Sequence, residues 1–199
     1  MKQKISTITL LRHGEPAGGA IFRGITDDLL TKTGWQQMNN AINKVNNIDI
    51  ILSSPLRRCA DFAEKIAAQR SLPVQKIDAL KEINFGQSEG QAVEKIALDA
   101  NNKLTNFWKD PIENTPPDGE PVLDFQKRVI SFWHELIMTQ RGNNCLLLTH
   151  GGVQKMILAE VLGMPVHAMH NIEVPYACCS TIHVYYSDTE PVTTLKSHG

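Results

Sequence analysis

The chain has 199 residues, 42% of them hydrophobic and 21% charged, with a formal net charge of -1. That supplies enough apolar material for one α/β core, and it excludes a general nucleic-acid surface, because no basic run exceeds Arg57-Arg58. No stretch approaches a membrane span, and the apolar run before Arg12 is too short for a secretory core. The four cysteines, Cys59, Cys145, Cys178 and Cys179, lack metal or redox spacing and read as buried apolar residues in a reducing compartment, so a cytoplasmic location is expected.

In chain order, Ile8-Thr9-Leu10-Leu11 is short, apolar and β-branched, as a central strand covered on both faces would be. Arg12 and His13 fall at its carboxyl end, the edge of an open α/β sheet where ligands bind. The pair reads either as a nucleophile beside an anion clamp or as a surface pair closing a strand. Met38, Ala41, Ile42 and Val45 predict a helix after Thr33-Gly34. The run from Ile48 to Ser53 predicts a second strand, which feeds a helix with Leu56, Cys59, Ala63, Ile66 and Ala67 on its apolar face. Two arginines in the first turn of that helix oppose the macrodipole, which makes sense if an anion is bound there. Arg58 is taken as the functional one and Arg57 as surface.

Glu82 lies in Leu80-Lys81-Glu82-Ile83-Asn84-Phe85-Gly86; it is a candidate proton donor or half of a surface salt bridge. From Gln87 to Pro117 the apolar positions Val93, Ile96, Ala97, Ala100, Leu104, Phe107 and Trp108 describe a helix and then a loop. This segment, 87–117, either caps a cleft or packs on the sheet. Val122 to Ile137 predicts a long helix opened by Pro117-Asp118-Gly119-Glu120. Cys145 to Thr149 is a further apolar strand, and it delivers His150 at its end, with Gly151-Gly152 opening another helix. Strands are predicted for Cys178 to Tyr186 and for Val192 to Leu195. Helical and strand periods alternate, so the expectation is a three-layer α/β/α sandwich around a mostly parallel sheet, with residues 1–199 as a single domain.

The motifs LRHGE, SSPLRR, LKEINFG and LLLTHGG, in this order, resemble the histidine phosphatase, or phosphoglycerate mutase-like, superfamily over nearly the whole chain. The resemblance implies that His13 attacks phosphorus and becomes phosphohistidine, that Glu82 is the acid and base, and that Arg12, Arg58 and His150 hold the phosphoryl group. By the same resemblance Gly151, Arg23 and Thr26 touch phosphate or substrate. Glu15 is read as structural. The chemistry asks for such residues: charge stays on the equatorial oxygens during in-line displacement, and planar guanidinium forks can bond two of them. One carboxyl can protonate the leaving alkoxide and later take a proton from water.

Nothing in this scheme needs a metal or an organic cofactor. His167 and His170 could share a helical face, but no carboxylate or cysteine of matching spacing stands nearby. His134, His183 and His198 read as surface residues. The expected partner is a small phosphomonoester, with no nucleic acid and no membrane. Residues 22–27, Glu82 to Gly86 and His150 to Val153 look most like the α-ribazole phosphatase branch, whose members remove the 5′-phosphate of α-ribazole phosphate in cobalamin nucleotide-loop assembly. The chain departs from that pattern at Leu29, Ser88 and Pro121, where proline, tryptophan and serine are usual. Three alternatives stay open: a phosphatase of another small metabolite, a phosphoglycerate mutase, and a non-catalytic phospholigand-binding module.

Overall fold

The computed structural model describes residues 5–97, 106–188 and 190–199. Its strands are β1 (Ile5–Arg12), β2 (Ile50–Ser53), β3 (Val74–Lys76), β4 (Asn144–Thr149), β5 (Cys179–Tyr185) and β6 (Val192–His198). The helices that flank them are α1 (Lys32–Ile42), α2 (Arg57–Arg70), α3 (Val93–Ala97), α4 (Val122–Thr139) and α5 (Gly151–Val161). The strands form one sheet in the order β3-β2-β4-β1-β5-β6. The four strands β3, β2, β4 and β1 run parallel, while β5 and β6 are antiparallel to their neighbours.

Side chains alternate across a strand, and that period separates the core into two halves. Leu11, Ile51, Leu146 and Leu148 pack on one face with Met38 and Ile42 of α1 and Phe62, Ala63 and Ile66 of α2. Ile8, Leu10, Leu52 and Leu147 pack on the other with Phe125, Val129 and Trp133 of α4 and Val153, Met156 and Ile157 of α5. The apolar runs in β1 and β4 are unbroken because both faces are covered.

The parallel strands β1 and β4 are neighbours in register, with Arg12 opposite Thr149. His13 and His150 therefore leave the sheet side by side, and the His13 amide donates to the Thr149 carbonyl at 2.9 Å. The helix ends are set locally. The Thr31 hydroxyl accepts from the Gly34 amide at 2.9 Å to cap α1. No side chain of its own caps α2; instead Asp27 accepts from the Arg57 amide at 2.6 Å. The anion that the arginine-bearing first turn led us to expect is thus, in part, a protein carboxylate.

α4 starts at Val122 as read, after a turn of Asp118, at φ +57°, and Gly119 closed on the Pro116 carbonyl. Some boundaries differ from the sequence reading: α1 begins at Lys32, ahead of Thr33-Gly34, and α4 runs two residues past Ile137. β6 runs three residues past Leu195, since its pairing with β5 continues to Ser180↔His198 beyond an irregularity at Thr181/Ile182. In the 87–117 segment, Ala100 and Leu104 lie outside the described residues. Phe107 joins the core, and Trp108 and Val93 are exposed. All four cysteines are free thiols. Among the described residues no helix is long and apolar enough to cross a membrane.

Candidate active site

Directly after β1, His13 is 4% exposed, and its Nδ1 lies 2.7 Å from its neighbour's carbonyl, Gly14 O. A carbonyl only accepts, so Nδ1 carries the proton and the Nε2 lone pair is left for the cavity that His13 lines. Burial, then the charges of Arg58 and Arg12, hold its pKa well below the ordinary histidine value, which keeps the ring neutral. Arg12 donates from Nη1 to the Val174 carbonyl at 2.6 Å and lies over the Tyr176 ring at 4.4 Å. Its Nε is buried with no hydrogen-bond partner. Gly151 approaches that nitrogen closely; a Cβ there would come within 3.3 Å of it.

Behind His13, Arg58 is fully buried and donates in three directions: to the Thr26 carbonyl at 2.7 Å, the Gly24 carbonyl at 2.6 Å and His150 Nδ1 at 3.2 Å. His150 Nδ1 is therefore the acceptor, and Nε2 donates to Ser54 Oγ at 2.8 Å. Burial, followed by the Arg58 charge, drives the His150 pKa well below its ordinary value. The neutral ring has both nitrogens engaged and stands 5.2 Å, centroid to centroid, from His13. In this arrangement neither His150 nor Arg58 lines the cavity, and the fork of Arg58 is held by backbone carbonyls. Arg57 is exposed beside Asp61, and Cys59, beneath His150, is pushed up to about 12 by burial and stays a thiol.

Glu89, which the sequence did not single out, organises the loop that holds Arg58. Its carboxylate accepts from the amides of Gly24, Ile25, Thr26 and Phe85 at 2.9–3.1 Å, and from the Thr26 hydroxyl. That orients the Gly24 and Thr26 carbonyls toward Arg58. Thr26 gives its hydroxyl to Glu89 and is not among the residues that line the cavity. Arg23 does line it, with its Nε donating to Asp28 at 2.8 Å and Nη2 to the Ala17 carbonyl at 2.6 Å. Glu15 accepts from the Thr31 hydroxyl at 2.8 Å at the start of α1, in keeping with a structural role.

Glu82 is 8% exposed and lines the cavity. Its Oε2 accepts from the Gly152 amide in the first turn of α5 at 2.9 Å, and Oε1 accepts from the Ile83 amide at 3.1 Å. A Cβ at 152 would meet Glu82 Oε1 at 2.3 Å, so any side chain there would push the carboxylate from its place. From α4, Arg128 donates to the carbonyls of Ala79, Lys81 and Glu82 at 2.8, 2.9 and 3.1 Å, and forks onto Glu120 at 2.6 and 2.9 Å. The main chain on either side of Glu82 is thereby fixed from below.

These groups open into a cavity of about 260 Å³. One end carries His13, Arg12 and Glu82; Phe22, Phe85, Phe107, Trp108 and Tyr176 supply aromatic walls, and Lys155 and His170 complete it. His170 is there without its suggested partner, for His167 is exposed, and among the described residues no group of three or more metal-ligating side chains occurs. His134 pairs with Glu160 on the surface, whereas His198 bridges Ser180 and the Glu173 carbonyl, each at 2.8 Å.

The neutral histidines make stability pH-dependent. His13 and His150 sit well below the ordinary value, and burial lowers His170 to about 4. In the unfolded chain each titrates near 6.5. Below that pH the unfolded chain binds protons that the folded protein excludes, so stability is full above about pH 6.5 and declines as the pH falls toward the folded pKa values. Each ring contributes a slope of up to ~1.4 kcal/mol per pH unit. Tm is expected to fall steeply from pH 7 to pH 5 in a phosphate-free buffer; an unchanged Tm would mean that the folded rings do take up protons.

Residues 8–196 match the family model described as the histidine phosphatase superfamily, branch 1. The chain is 30% identical over 179 residues to the adenosylcobalamin/alpha-ribazole phosphatase of Escherichia coli K12, covering 88% of each chain. It is 27% identical, with the same coverage, to the putative phosphoserine phosphatase 2 of Hydrogenobacter thermophilus. The crystal structure of a putative alpha-ribazole-5'-P phosphatase from E. coli K-12 superposes with a TM-score of 0.84 at 27% identity, covering 98% of this chain and 96% of that one. A match across nearly the whole sheet and both strand ends that carry the histidines makes this chain a member of the histidine phosphatase superfamily, branch 1.

Proposed function

We propose that the protein is a phosphomonoesterase that works through a phosphohistidine at His13, and that its substrate is α-ribazole 5′-phosphate. The observation that carries the reading is a neutral, buried His13 whose Nδ1–H is tied to Gly14, at the phosphate end of an aromatic-walled cavity. Nε2 would attack phosphorus as the bond to the alcohol oxygen breaks. Glu82 would give that oxygen its proton, then take one from the water that attacks the phosphohistidine, releasing inorganic phosphate and restoring both groups. The unbonded Nε–H of Arg12 is a donor waiting for an equatorial oxygen, and the nearby Arg58 charge favours the developing anion.

The aromatic wall supports α-ribazole as the alcohol, since its base is a flat, largely apolar ring. The relatives named for α-ribazole 5′-phosphate support it too. The test is steady-state phosphate release from α-ribazole 5′-phosphate beside 3-phosphoglycerate, phosphoserine and sugar phosphates. A kcat/KM for α-ribazole phosphate orders of magnitude above the rest is expected. Comparable slow rates on all of them would reject that substrate while leaving the phosphatase chemistry standing.

A further inference from the structure

The cavity also holds polar atoms for which the reaction scheme has no use. Both ring nitrogens of His170 are buried without a hydrogen-bond partner, although the residue lines the cavity. The ring meets Trp108 edge-on at 4.8 Å and Phe107 at 5.9 Å. Unsatisfied buried polar atoms are rare in folded proteins, because the desolvation they suffer is uncompensated, and here two belong to one ring of a residue that lines the cavity. Lys155 is one helical turn along α5 from Gly151 and lines the same space. It forms no salt bridge among the described residues.

The chemistry of the pair restricts what it can bind. An ammonium group only donates, and a neutral imidazole offers one donor and one acceptor. His170 is kept neutral by burial and by the Lys155 charge. The surroundings argue against a second anion. Arg12 lines the phosphate end with Arg58 buried behind it, Arg23 is paired with Asp28, and the strongest opposite charge acting on Lys155 is Glu82. Of the cations that line the cavity only Lys155 is left over, Glu82 already offsets its charge, and a carboxylate held there would also lie against Phe107 and Trp108. A neutral acceptor on a flat ring meets both conditions: its lone pair takes a donor from the pair, and its face takes the aromatic wall.

We propose that Lys155 and His170 form a specificity pole that binds the hydrogen-bond-accepting edge of a planar heteroaromatic group on the leaving alcohol, with the ring against Phe85, Phe107 and Trp108. This rests on the phosphomonoesterase reading above.

The test compares benzimidazole riboside 5′-phosphate with its indole counterpart, in which the accepting ring nitrogen is a C–H and the phosphate, sugar and shape are kept. The readout is the ratio of kcat/KM for the two. In the wild type the ratio is expected to exceed about ten, because a site built to donate to an acceptor rejects the analogue that lacks it. It is expected to fall toward one in Lys155→Met and in His170→Phe, and to persist in Lys155→Arg, with circular dichroism checking that each variant is folded. A wild-type ratio near one, or a ratio unchanged in both variants, would overturn the pole. So would a wild-type preference for 3-phosphoglycerate over both ribosides that Lys155→Met removes, since the pole would then be an anion site. Acid-labile phosphoenzyme, trapped by rapid quench in the wild type, separates the two levels: its absence defeats the phosphohistidine reading, whereas its presence with a failed ratio defeats only the pole.

Discussion

Replacing His13 by alanine is expected to lower turnover at least ~10³-fold and to abolish the trapped phosphoenzyme, a larger loss than removal of one charge-stabilising donor usually brings. The size follows from the arrangement around the ring. Gly14 fixes the tautomer, burial and two arginines keep the ring neutral, and the cavity receives Nε2. No neighbouring group is poised to replace it. The other imidazole, 5.2 Å away, has one nitrogen accepting from Arg58 and the other donating to Ser54. Arg12 and Glu82 remain in the variant, so substrate binding should suffer much less than kcat. Steady-state kinetics with rapid-quench trapping checks this, and near-normal hydrolysis would remove His13 from the covalent role. The same variant should also soften the acid loss of Tm, because one of the three rings that exclude protons is gone.

The parts of this site that were legible in the sequence are those carried by local pattern. β1 and β4 are continuous apolar runs that end in histidine, and their parallel pairing follows from both being buried strands in an alternating α/β order. Arg58 was legible because a cation in the first turn of a helix needs an explanation. What the sequence did not reveal are contacts made across long separations. Glu89 meets the loop at Gly24–Thr26 some 63 to 65 residues away, and Arg128 reaches back 46 to 49 residues to the carbonyls around Glu82. Neither leaves a periodic signal. Lys155 could have been found, since position 155 is one helical turn from Gly151 and so shares its face. The partner of the Thr26 hydroxyl was hidden for a related reason, since Glu89 is brought to it only by the fold. The direction of the Arg58 fork was likewise not legible, for it depends on where two backbone carbonyls point.

Glu82→Gln is expected to slow the phosphorylation step by ~10²–10⁴-fold with alkyl phosphates and far less with p-nitrophenyl phosphate. The amide keeps the shape of the carboxyl, and its oxygen can still accept from the Gly152 amide in place of Oε2; the NH2 that replaces Oε1 gives up only the longer bond from the Ile83 amide, so the side chain should stay near its position. Arg128, through the Ala79, Lys81 and Glu82 carbonyls, holds the main chain in either case. What the amide lacks is a proton to give to a strongly basic alkoxide. Nitrophenolate leaves without that proton, so the first step survives. The second step does not escape, because water attacking the phosphohistidine must lose a proton and the amide cannot take it. The variant should therefore show a burst of nitrophenol followed by slow turnover, with phosphoenzyme accumulating on His13. Single-turnover and burst measurements separate the two steps. Equal losses of the phosphorylation rate with both leaving groups would place the proton transfer elsewhere and leave Glu82 as a group that only orders the start of α5.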